Sequence, residues 1–279
     1  MIMDTKNKNR IACSTSIASG FPLEKACADI ASLGLRLIDI LTIEGWAHVN
    51  PGDLADRWEE TIQHVDGLLK EHDLTPIALN SMVGPKMHER SDESNARRKV
   101  ETEALFRLMK KYDIGVAALQ PPLNVDPELD ENIVFESCLA TLREQVAMAE
   151  AAGLQFALEL HTRSPFETMP QVNRLLAAMP DAPLVYDPTH FVSQGINIKE
   201  TGGMMDNARH VHIRDAAKGK LQAPYGQGEV DFDWICQALK DRGYAGHISI
   251  EYLGGKNLEF DVLDSAQRLY EKLVEYFPQ

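Results

Sequence analysis

Four polar residues close four hydrophobic segments in the second half of the chain: Glu159 in FALELH, Asp187 in LVYDPTH, His212 in HVHIRD and Glu251 in ISIEY. Three carboxylates and one imidazole that converge make a site for a hard divalent cation. The oxygen-rich set favours Mn2+, with Mg2+, Co2+ and Zn2+ as alternatives. The lack of thiolate ligands argues against a structural zinc site. Any one such residue, taken alone, is more often a solvated loop residue or a helix cap. A lone charge inside a protein is costly unless it is paired or metal-bound, so four at matching segment ends favour the metal.

The elements that must position them follow from the spacing. Successive members of the quartet lie roughly one strand–loop–helix unit apart, ~30 residues. Strands are expected at 11–16, 36–41, 75–81, 114–120, 155–161, 183–187, 210–214 and 247–252. Helices are expected between them. In 53–72 the apolar positions Leu54, Trp58, Ile62, Val65 and Leu69 form one stripe at helical spacing. Phe135, Leu139, Leu142, Val146 and Ala149 do the same in 131–151, and the pattern returns around 97–112, 231–242 and 260–276. Gly34, Gly153 and Gly243 follow helical runs, where a left-handed cap is expected.

Eight strands alternating with helices imply an α/β fold, a single (β/α)8 TIM barrel over residues 11–279 behind a frayed tail at 1–10. An open doubly wound sheet would need a phosphate or dinucleotide loop after an early strand, and neither GxGxxG nor a P-loop occurs. YGQGE at 225–229 reads as a loop. Alternation puts Ala157, Glu159 and His161 on one strand face, likewise Val185 and Asp187, His210, His212 and Arg214, and Ser249 and Glu251. Small residues then lie below and polar ones above, at the carboxyl ends, where barrel enzymes work.

The bulk numbers are those of a soluble globular protein: 279 residues, 44% hydrophobic, 25% charged. No apolar run is long enough for a membrane span, and the N-terminus is not a signal peptide. A net charge of −14 argues against a nucleic-acid partner. The scattered cysteines, with no CxxC pair, read as reduced thiols of a cytoplasmic protein.

In order, the motifs ALELH, VYDPTHF, HVHIRD, GQGEVDF and GYAGHISIEY resemble the sugar phosphate isomerase/epimerase superfamily, the xylose isomerase-like TIM barrels. The resemblance covers essentially the whole chain and is strongest over 155–252. It implies one divalent metal held by Glu159, Asp187, His212 and Glu251, and a small polyol, ketose or keto-inositol substrate. It implies that Glu159 and Glu251 also act as the acid/base pair, and that His190 and Arg214 touch substrate oxygens. Dimers and tetramers are common in such families, so a homo-oligomer is compatible. The expected activity is an isomerase or epimerase that removes a proton next to a carbonyl and passes through a metal-stabilised enediolate. An inosose dehydratase-type lyase would share the first half of that reaction. A non-catalytic sugar-binding barrel and an AP endonuclease rank lower, the latter because the histidines of a multi-metal cluster have no match.

Further candidates are less sharp. Glu44, Trp46 and His48 follow the second strand on the same side, and Trp46 could stack on a sugar ring. Asn80 and Gln120 end strands three and four and could bond hydroxyls. His161 shares the face of Glu159 and is a substrate candidate or a rim residue. His210 lies a layer below His212 and is expected in a hydrogen-bonded supporting role. Asp215 would orient a ligand or form a salt bridge. His64 and His88 read as structural or solvated. No Lys/Arg cluster demands a phosphate.

Overall fold

The computed structural model describes residues 9–278. The tail expectation for 1–10 therefore falls largely outside the described residues. Among the described residues nine strands form one sheet: β1 (Ile11–Ser14), β2 (Leu37–Ile43), β3 (Ala47–His48), β4 (Thr75–Met82), β5 (Val116–Leu119), β6 (Gln155–Glu159), β7 (Leu184–Tyr186), β8 (Ala208–Ile213) and β9 (Ile248–Ile250). The order is β1-β9-β8-β7-β6-β5-β4-β2-β3, and β1 also pairs with β2. Eight of these strands run parallel and close on themselves, so the fold is a TIM barrel. The ninth, β3, adds only a two-residue antiparallel return on β2.

The expected strands all form, several of them shorter than the apolar runs. Where β6 ends at Glu159 and β5 at Leu119, His161 and Gln120 lie in the loops just beyond. The helix Glu131–Ala151 matches its stripe; Asp130 caps it by accepting from Asn132 and Ile133 N–H at 2.9 and 3.0 Å. The helix expected at 97–112 starts earlier, at Asp92, because Ser91 caps it, and its polar first turn carries no stripe to read. The single helix expected over 53–72 is two: Pro51–Asp56 and Trp58–His72 meet at Arg57, whose backbone leaves the helical region. The apolar stripe survives the break, since Leu54 and Ile62 are both buried. Gly34, Gly153 and Gly243 have φ of 78, 75 and 64°, as helix-ending caps require.

The main core fills the space between barrel and helices. A second, small-residue cluster plugs the barrel's lower interior with Ala12, Ala78, Ala118, Ala157 and Val185 among its members. Above this plug the interior turns polar. Asp39, Asn80, Glu159, His210, His212 and Ser249 are buried there, and they define the floor of a cavity at the carboxyl ends of the strands.

Candidate metal and catalytic site

His212, near the end of β8, organises the floor. Its Nδ1 lies 2.8 Å from Glu159 Oε1 and 3.6 Å from Glu251 Oε2. Its Nε2 faces the other way, 2.9 Å from Asp39 Oδ2. With Nε2–H donating to Asp39, Nδ1 is turned to the two glutamates: it donates to Glu159 when protonated, and its lone pair would face a bound cation. Ligand atoms of Glu159, His212 and Glu251 lie within 4.8 Å of one another, and so do those of Glu159, Asp187 and His190. Glu159 joins the two groups.

Each carboxylate is held differently. Asp187 Oδ1 accepts from the backbone N–H and hydroxyl of Thr189 at 2.8 and 2.5 Å, which is the local logic of the DPT turn. Glu251 is gripped at both oxygens, Oε1 by Asn80 Nδ2 at 2.7 Å and Oε2 by Arg214 Nη1 at 2.5 Å. Arg214 Nη1 also lies 3.5 Å from Asp187 Oδ2, so the guanidinium bridges two of the carboxylates. Glu159 Oε2 and Asp187 Oδ2 are buried and have no hydrogen-bond partner among the described residues. Asp187 Oδ2 has only the longer ion pairs, with Arg214 and with His190 Nε2 at 3.3 Å, and anionic oxygens so thinly partnered in a dry interior are expensive. Their presence beside Nδ1 of His212 fits a hard divalent cation, which would displace the imidazole proton.

The electrostatics are those of crowded carboxylates. Burial pushes the Glu251 carboxyl up, and repulsion from Glu159 adds to it, against the pull of His212 and Arg214. Burial also opposes ionisation of Glu159, but the charge and hydrogen bond of His212, with His161 and Arg214, hold it below its ordinary value. For His212, burial disfavours the charge; Glu251, Glu159 and Asp39 outweigh it and raise the pKa. Burial keeps His161, His190 and His210 on the neutral side.

A cavity of about 310 Å3 opens above this floor. Glu159, Glu251, His161, His190, Arg214 and Gln120 line it, as does Trp46, half exposed at the mouth. The His161 and His190 rings pack at a tilt of 42° with centroids 3.8 Å apart. Arg163, which sequence reasoning did not single out, also lines the cavity. A larger groove of about 670 Å3 lies outside the barrel, between the helices Asp92–Tyr112 and Glu131–Ala151, and holds none of the candidate residues.

Not every candidate is brought to the cavity. The His48 ring points away, with Nδ1 3.0 Å from Thr15 Oγ1 and Nε2 near the carbonyls of Ala18 and Phe21. Asn80 lies in the floor and supports Glu251. Glu44 accepts from Gly52 N–H at 2.8 Å, tying its own loop to the next helix. His210 Nε2 bonds Asp39 and Ser249, the supporting role expected of it. Asp215 takes neither expected role. Its carboxylate accepts from the backbone N–H groups of Ala216, Gly226 and Gly228, organising the 215–230 loop. Gly228 has to lack a side chain, because a Cβ would sit 2.0 Å from Asp215 Oδ1. His64 is exposed on the helix Trp58–His72, 3.5 Å from Glu24 of the helix Leu23–Ser32, and His88 lies in a loop.

Asp39 is the floor residue that sequence reasoning missed. It is fully buried in the middle of β2, and Oδ2 lies 2.9 and 3.1 Å from the Nε2 atoms of His212 and His210. Burial alone would raise its pKa; the bonds from the two histidines reverse this and hold the carboxyl low. A charged residue inside the apolar run RLIDIL was the available signal, since a buried charge must have partners.

Residues 27–274 match the model of the xylose isomerase-like TIM barrel family. The chain belongs to that family. Among curated proteins it is similar to an inosose isomerase of Halalkalibacterium halodurans, 23% identical over 231 residues that cover 78% of this chain and 80% of that one. It is also similar to an inosose dehydratase of Bacillus licheniformis, 26% identical over 183 residues covering 54% and 61%. A solved xylose isomerase-like TIM barrel from Mycobacterium smegmatis, in complex with magnesium, superposes with a TM-score of 0.74 at 16% identity, covering 96% of each chain. Buried His/Asp/Glu groups of this family member make a divalent-metal site candidate. No helix among the described residues is long and apolar enough to cross a membrane.

Proposed function

We propose that this protein is a divalent-metal-dependent isomerase or epimerase of a small ketose or keto-polyol. The observation that carries the reading is that Glu159 and Glu251 both line one cavity and share the Nδ1 side of His212. Glu159, Asp187, His212 and Glu251 would hold the cation, with Mn2+ favoured by the donor set. When bound, it supplies a Lewis acid for the carbonyl oxygen and the neighbouring hydroxyl. One glutamate takes the proton from the carbon between them. The other returns a proton, to the opposite face for epimerisation or to the adjacent carbon for isomerisation. Asn80 and Arg214 fix the carboxylate of Glu251 during this exchange, and His190, with Arg214 and Gln120, is placed to bond substrate oxygens. His161, packed on His190, holds that ring in place.

The named relatives include both inosose isomerases and dehydratases, so loss of a β-hydroxyl from the same intermediate is the second reading. Incubation of the Mn2+-supplied protein with inososes and ketoses in deuterated water tests both. Exchange of one carbon-bound hydrogen at unchanged composition marks isomerisation or epimerisation, and loss of water marks the lyase. Glu159→Gln and Glu251→Gln are each expected to lower turnover by about 10²-fold or more. Retained turnover in both variants would sink the assignment.

A further inference from the structure

The cavity has two unlike walls. Strands β6 to β9 supply the carboxylates, imidazoles and Arg214. Across from them, the inward positions of β2 above Asp39 are Leu41 and Ile43, and the inward position of β4 above Asn80 is Met82. Leu41, Ile43 and Ala47, with Met82 packed against them, form an apolar cluster of their own, separate from the main core. Leu41, Ile43, Met82 and Trp46 all line the cavity, and Leu123 and Leu253 continue the apolar surface at its rim.

Polar atoms near this wall are few. Thr42 and Ser81 bond each other at 2.5 Å, and neither lines the cavity. Asn80 Nδ2 is bound to Glu251, and its Oδ1, buried without a partner, does not line the cavity; Gln120, just beyond β5, is the polar side chain on this side. A polyol with a hydroxyl on every carbon would press several of them against Leu41, Ile43 and Met82 with Gln120 alone to bond them on this side, and an unpaired buried hydroxyl is costly. Trp46, 50% exposed at the mouth, presents a large ring to whatever enters.

We propose that the substrate carries an apolar substituent beside its hydroxyketone: a keto-sugar joined to an aromatic or short aliphatic group, with the sugar on the metal side and the substituent against Leu41, Ile43, Met82 and Trp46. This rests on the reading that the opposite wall binds a hydroxyketone. The volume of about 310 Å3 leaves room for a substituent of one ring rather than an extended chain.

The test compares a 3-keto-hexose with its phenyl glycoside on the Mn2+-supplied protein, by calorimetric binding and by hydrogen exchange in deuterated water. The phenyl compound is expected to bind about tenfold tighter or better, the usual return for filling an apolar pocket. That ratio is expected to fall at least about threefold in Trp46→Ala, whose side chain is too exposed to be needed for folding, and in Met82→Gln. Equal or weaker binding of the phenyl compound overturns the proposal. So does a Trp46→Ala protein that keeps the native ratio but changes its association state, which would place the apolar wall in a subunit contact. A binding preference with no exchange on either compound sinks the proposed chemistry and leaves the substrate class standing. Binding of neither compound overturns both.

Discussion

Replacing Asp39 by Asn tests how the site is aimed. Asn keeps the shape of a fully buried side chain but exchanges an anionic acceptor for a neutral one. Two contacts are affected, His212 Nε2 at 2.9 Å and His210 Nε2 at 3.1 Å. A charge-assisted bond is about twice as strong as a neutral one, so the exchange costs His212 about 1–2 kcal/mol of orienting interaction. The imidazole also loses basicity at Nδ1, the atom turned toward Glu159 and Glu251. Partners of this kind are worth about 10–100-fold in metal affinity when removed, or about 1.4–2.7 kcal/mol. The assay is calorimetric titration of Mn2+ into the native protein and the variant, with melting curves to show that both are folded. Weaker Mn2+ binding within that range, in a protein that still melts cooperatively, is the expected result. A folded Asp39→Asn protein whose Mn2+ affinity stays within about twofold would refute the argument that Asp39 sets the tautomer and aim of His212.

Other perturbations probe separate links. Asn80→Ala frees Glu251 Oε1 from its 2.7 Å bond and is expected to lower kcat by about tenfold with a smaller change in KM; an unchanged kcat would deny Asn80 a positioning role. Gly228→Ala forces a Cβ to 2.0 Å from Asp215 Oδ1 and 2.5 Å from Ala216 O, so a loss of about 1–3 kcal/mol should appear in urea melts, and a native midpoint would contradict the loop geometry. Burial, helped by His210 and Arg10, lowers the His247 pKa from 6.5 to about 4. The unfolded chain therefore binds a proton in that window that the folded one refuses, and stability falls as pH drops from 6.5 toward 4, by at most about 1.4 kcal/mol per pH unit for this residue. His247→Gln should reduce the slope of urea stability against pH there, and an unaltered slope would show that His247 titrates normally in the folded protein.

The contrast between Glu159 and Asp39 shows which parts of this site a sequence can declare. Glu159, Asp187, His212 and Glu251 sit at the carboxyl ends of their strands or within a residue beyond them, in the register the barrel demands, and alternation within each strand was enough to place them. The strand–helix rhythm was legible for the same reason: each element buries a periodic face. Asp39 obeys no such period. Its meaning comes from His210 and His212, which lie 171 and 173 residues away and reach it only because β1, β9 and β8 close the barrel beside β2. His48 errs the other way. It sits next to Trp46 in sequence, yet a two-residue strand turns its ring toward Thr15, Ala18 and Phe21 while Trp46 faces the cavity. Asp215 likewise sits beside a candidate substrate contact, and its carboxylate is consumed by backbone amides of a loop whose course no periodicity encodes. The apolar wall on β2 and β4 was hidden differently, because Leu41, Ile43 and Met82 look like ordinary strand residues until closure of the barrel puts them opposite the carboxylates. Chemistry carried by residue type and strand phase can thus be read from the chain. The groups that aim it, and the apolar surface that faces it, depend on which strands become neighbours.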